Sequence, residues 1–161
     1  MKQEEIHRLR EGTKGIIPSG SFVISFVARC VGDAPQVLDR CKEVLSIVLQ
    51  ADAEDWPSTD EWRSQLPEWF VEGSAKEISQ EEAERRLRLP LEERMRLSQQ
   101  WSVSAFVHWF KPNERYWYWW EAVVKNDDTL QINVVVNDQP FPWGSLDWLL
   151  RASGAVSVEE A

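Results

Sequence analysis

The chain of 161 residues carries 27 acidic against 18 basic side chains, a formal charge of -9, with 43% hydrophobic residues and ten tryptophans. That length fits one ordinary domain able to close a core without disulfides or metal. The tryptophan content excludes a largely disordered chain, and the net charge opposes nucleic-acid phosphates or an anionic membrane as partners.

Residues 1–20 combine a short charged segment, Gln3 to Glu11, with Gly12, Gly15, Pro18 and Gly20. This punctuation predicts a frayed helix and an irregular connection that pack poorly. Gly12-Thr13-Lys14-Gly15 lacks both the preceding strand and the spacing of a phosphate loop. From Ser21 to Val31, Phe22, Ile24, Phe26, Ala28 and Cys30 alternate with Val23, Ser25, Val27, Arg29 and Val31, which predicts a strand. Acidic residues precede this run and Arg29 interrupts it, so it makes a poor export signal, and no run approaches the roughly 20 apolar residues of a membrane span. Asp33 then caps a helix with Val37, Leu38, Cys41, Val44, Leu45 and Val48 on one side. Cys30 and Cys41 form no C-x-x-C motif and read as buried thiols in a reducing, cytoplasmic setting.

Between Ala51 and Glu72 the sequence holds seven acidic residues and three tryptophans against one base, Arg63. Ser58 with Glu61 forms a capping-box signature, and Trp62, Leu66, Trp69 and Phe70 make an aromatic stripe that Pro67 interrupts and Gly73 ends. Ser79 and Glu82 repeat the capping box ahead of a charged helix, divided by Pro90, in which Ala83, Leu87, Leu91 and Met95 recur every four residues. Its arginines and glutamates interleave as on a solvated face.

A period of two beginning at Trp101 predicts three strands, 101–110, 116–125 and 129–137, in an antiparallel meander. Ser145 to Gly154 forms a last helix, and 155–161 reads as a flexible acidic tail. The expected fold class is α+β, with the 21–31 strand as a possible fourth member of the sheet and residues 21–154 as one domain.

The hydrophobic alternation Leu130, Ile132, Val134, Val136 fixes an inner face on the third strand. A three-residue turn then sets Trp120 opposite Val134 and Ala122 opposite Ile132, and a four-residue loop sets Val107 opposite Trp120. In that register Trp101, Val103, Ala105, Val107, Trp109, Tyr118 and Trp120 are core. Phe106, His108, Phe110, Trp117, Trp119 and Glu121 share the other face, with His108 across from Trp119 and Glu121 a diagonal step away.

Two functional readings follow. In the first, the chain is a non-enzymatic interaction protein that docks a basic macromolecular partner through an acidic, Trp-rich surface at Asp60, Glu61, Glu68 and Glu72. In character, though by no shared motif, such a chain resembles small acidic bacterial immunity proteins and assembly factors. In the second, a sugar or nucleotide stacks on the second sheet face, with His108, Trp117, Trp119, Glu121 and Asn133 as ligand-binding or acid-base groups. No histidine pair stands at a ligand spacing, and Asp52, Glu54 and Asp55 lack the alternation of a calcium loop, so neither metal nor cofactor is expected.

Overall fold

A computed structural model of the chain describes residues 2–12 and 15–161; Thr13 and Lys14, and with them the Gly12 to Gly15 segment as a phosphate loop, lie outside the described residues. The fold is α+β. Four antiparallel strands, β1 (Phe22–Cys30), β2 (Tyr118–Asn126), β3 (Thr129–Val136) and β4 (Ala155–Glu160), form one sheet in the order β2-β3-β1-β4. Among the described residues eight α-helices accompany them: α1 (Lys2–Glu11), α2 (Ala34–Val48), α3 (Thr59–Gln65), α4 (Glu68–Gly73), α5 (Gln80–Leu87), α6 (Leu91–Leu97), α7 (Val103–His108) and α8 (Gly144–Ser153).

The inner sheet face follows from the alternation in β1 and β3. Phe26 and Ala28 on β1 and Leu130, Ile132, Val134 and Val136 on β3 are fully buried. Helix α2 packs against β1, β2 and β3, and α8 packs against β4 and α2. Both helices have the stripe this requires: Val37, Cys41, Val44, Leu45 and Val48 on α2, and Leu146, Leu149 and Leu150 on α8. Asp33 accepts from the Gln36 amide at the start of α2, as its position in the sequence predicts. Ser58 and Glu61 complete the capping box of α3.

The predicted strand 101–110 is a helix. Ser102 accepts a hydrogen bond from the Ala105 amide, 3.2 Å, and starts α7. Two patterns coexist in this stretch, and the larger side chains decide between them. A strand would bury Ala105 and turn Phe106 away, whereas the helix leaves Ala105 exposed and buries Val103, Phe106, Val107 and Phe110 at i, i+3, i+4 and i+7. Consequently the meander begins at β2, and its partner on the far side of β3 is β1.

Pairing of β2 with β3 sets Ala122 opposite Ile132, as predicted, but Trp119 opposite Val134 where Trp120 was expected. A register shift between Trp119 and Glu121 accounts for the difference, since one extra residue in β2 exchanges the faces beyond it. Trp119 is thereby core, 1% exposed, while Glu121 keeps its predicted outward place opposite Asn133.

The two chain ends also depart from expectation. Ile6 and Leu9 bury one side of α1, and α1 packs on β2 and α2. Glu5, 1% exposed, receives both Arg115 Nη1, 3.0 Å, and Nη2, 2.7 Å, together with the Trp119 amide, 2.7 Å. Arg8 Nε adds a 3.4 Å bond to the Trp119 carbonyl. Side chains of α1 therefore satisfy the backbone of β2 at Trp119, a task that composition alone does not announce. Residues 155–160, expected as a loose tail, form edge strand β4 against β1, with Val158 buried and Glu159 and Glu160 exposed. The paired glutamates that resemble a tail are charges on a sheet edge.

Truncating Arg115 leaves Glu5 as an unpaired buried charge. The variant Arg115→Leu is expected to lose about 3–5 kcal/mol of folding stability by urea denaturation, and the double variant Glu5→Leu/Arg115→Leu to recover a large part of that loss.

Candidate functional site

The residues of the aromatic segment 101–120 are distributed between a sealed core and an outer flank. Phe70 of α4 meets Phe106 of α7 with ring centroids 5.0 Å apart. Phe106 meets Phe110 at 5.0 Å, and Phe110 meets Trp117 edge-on at 5.7 Å. Trp117 Nε1 donates to Ser145 Oγ at 3.0 Å, so its polar edge is satisfied inside the protein. All four rings are at most 5% exposed. The aromatic stripe of α3 and α4 thus covers the rings it was expected to need, with Trp62 and Leu66 buried beside Phe70.

This burial removes Trp117 and Trp119 as stacking platforms for a sugar or a base: at 3% and 1% exposure neither presents a face to solvent. The His108, Trp119, Glu121 constellation does not form either, because helix α7 replaces the strand that would have aligned it. His108 stands exposed on α7, edge-on to Trp109, with Nε2 3.9 Å from a Glu114 carboxylate oxygen. Glu121 and Asn133 do meet, since Asn133 Nδ2 donates to Glu121 Oε1 at 3.1 Å. Asn133 Oδ1 also accepts from Ser25 Oγ, 2.7 Å, and Gln131 Nε2, 3.2 Å. The result is a polar row across β1, β3 and β2 in which both ends of the Asn133 amide are occupied. It braces the outer sheet face.

The acidic candidates fare differently. Asp60 and Glu61 lie in the first turn of α3 and Glu68 in the first turn of α4, where the helix dipole favours carboxylates. Glu72 lies near the end of α4. All four are exposed, as are Asp52, Glu54 and Asp55 in the preceding loop. Trp56 and Trp69 are half-buried on the margins of this surface; Trp56 packs on Trp62 at 5.3 Å, and the Arg40 guanidinium sits 5.2 Å above the Trp69 ring. Each short helix therefore has an apolar side consumed by the core and a carboxylate side facing outward.

Cys30 and Cys41 are buried and unpaired with each other. Burial pushes the Cys41 thiol up to about 12, and it donates to Ser153 Oγ at 3.3 Å. Burial, with a smaller contribution from Asp128, also raises Cys30. Neither thiol has the electropositive, accessible surroundings of a nucleophile. Native Cys41 holds its proton up to about 12, whereas an exposed thiol releases it near ~8.5. The folded state consequently binds more protons above that pH, and the stabilisation present below it is lost as pH rises. Between pH 7 and pH 10 the urea-unfolding free energy is expected to fall about 2 kcal/mol more in the native chain than in Cys41→Ala. Equal pH slopes in the two proteins would contradict the assignment.

No family model matches the chain, and neither the curated proteins nor the solved structures contain a match.

Proposed function

We propose that this is a non-enzymatic interaction protein that docks a basic macromolecular partner on the acidic surface of α3, α4 and the loop before them. The observation that carries the reading is the one-sided exposure of those helices. Trp62, Leu66 and Phe70 anchor them to the core, while Asp60, Glu61, Glu68 and Glu72 point away from it. A short helix fixed on its apolar side holds its carboxylates in a defined pattern, and a defined pattern discriminates between basic partners better than the same charges on a mobile loop. The half-buried rings of Trp56 and Trp69 supply apolar area at the rim of the same surface.

Glu61 also accepts a hydrogen bond from the Ser58 amide in the α3 capping box, so a test must preserve that acceptor. The variant Asp60→Lys/Glu61→Gln/Glu68→Lys/Glu72→Lys keeps the box and reverses the field. As bait in a pull-down from native extract, the unaltered chain is expected to retain basic proteins in a salt-sensitive manner, and the variant to lose about tenfold or more of that capture. Circular dichroism establishes that the variant is folded, and undiminished capture by a folded variant overturns the proposal.

A further inference from the structure

A cavity of about 180 Å³ lies between the start of α1, the end of α2 and the segment that leads into β2. Its walls are apolar and include flat rings: Val48 at the end of α2, Leu49 just after it, Trp56, Phe110 and Tyr118. One engineered cavity of about 150 Å³ holds benzene, so the space suits a single six-membered ring with a small substituent. Its polar boundary is made by Lys2, Arg115 and Glu5.

The charges at that boundary select the substituent. Glu5 is 1% exposed and gives both carboxylate oxygens to Arg115, one of them also to the Trp119 amide, so its charge is compensated internally. Arg115 uses three N–H···O contacts, two to Glu5 and one of 2.8 Å to the Trp117 carbonyl. A guanidinium carries five such hydrogens. The Arg115 guanidinium carbon lies 4.4 Å over the centroid of the Tyr118 ring. Lys2 Nζ donates to the Ala51 carbonyl at the mouth and retains two further N–H groups. Among the described residues no ion pair includes Lys2. Two cations and one spoken-for carboxylate leave a net positive end facing an aromatic-lined space.

We propose that this cavity is a binding site for a compact aromatic monocarboxylate, with its ring between Trp56, Phe110 and Leu49 and its carboxylate toward Lys2 and the free N–H groups of Arg115. A cationic ring is repelled by the same boundary, and a neutral one forgoes the charge-assisted hydrogen bonds that distinguish the anion. The site shares Trp56 with the rim of the acidic surface but involves none of its four carboxylates.

Benzoate, benzamide and benzylammonium share a ring and differ in charge, which makes them suitable probes for the full chain. Titrations followed by the amide signals of Leu49 and Ala51 and the Trp56 indole N–H are expected to give benzoate a dissociation constant on the order of 1 mM. Benzamide should bind about tenfold more weakly, with no saturable effect from benzylammonium. Lys2→Gln lies at an exposed position and should bring benzoate to the level of benzamide without affecting the fold. Ala51→Phe, which places a ring at the mouth, should abolish binding of both. Absence of benzoate binding up to about 20 mM would overturn the site. Equal affinity for benzoate and benzamide, or a benzoate affinity indifferent to Lys2→Gln, would overturn the proposed selection of a carboxylate.

Discussion

Arg115 ties α1 to the segment that leads into β2 and to the aromatic core beside it. Its guanidinium pairs bidentately with Glu5 of α1, donates to the Trp117 carbonyl, and lies over Phe110, Trp117 and Tyr118 at 5.3, 5.8 and 4.4 Å. Removing such a group from water is costly, and only the combination of a carboxylate, a carbonyl and ring faces offsets that cost. The geometry has structural consequences at once. It sets the position of α1, brings Glu5 to the Trp119 amide at the β2 register shift, and fixes the end of the ring series that starts at Phe70. A hydrophobic residue at 115 could fill the volume but could not orient three separate backbone and side-chain partners.

Other cations also rest on ring faces. Arg8 lies 4.8 Å above Trp120, Arg40 above Trp69, and Arg115 among its three rings, so three positive charges are spent on aromatic faces. Arg85 and Arg86 bond to Glu82, whose carboxyl the two guanidiniums hold down at about 2, and Arg96 bonds to Glu93. Basic residues are thus engaged locally, on rings or within α5 and α6, while the carboxylates of α3 and α4 meet no comparable partner in their own sequence beyond Arg63. The exposed carboxylates of α3 and α4 therefore dominate the local field on their side of the molecule.

What the sequence revealed was what depends on local pattern. Strand β3, the stripe of α2, the capping box at Ser58 and the division of a helix at Pro67 each follow from neighbours within a few residues. Failures occurred where two local patterns competed or where the partner was remote. Segment 101–110 satisfies a period of two and a period of 3.6 together, and only the relative size of Ala105 and Phe106, weighed against Ser102 as a cap, separates them. That signal was present and decides correctly when the larger side chain is given the core. In contrast, the shift at Trp119 involves Glu5, more than a hundred residues earlier, and β4 takes its strand pairing from β1. Nothing within either segment encodes those contacts.

Site legibility follows the same division. Outward-facing carboxylates on short amphipathic helices can be read from spacing alone, because the apolar stripe that is buried specifies the side that is not. Asp60, Glu61, Glu68 and Glu72 were legible for this reason. A cavity has no such local signature, for its walls come from α1, α2, the loop at Trp56 and the approach to β2. The ligand residues inferred from an assumed strand were separated when that strand became α7, since a helix turns His108 about a hundred degrees from its neighbour where a strand would have aligned it with Trp119. Secondary structure thus determines which residues stay together: carboxylates read from a helix stripe share an exposed side, and a constellation read across two strands was dispersed when one strand coiled.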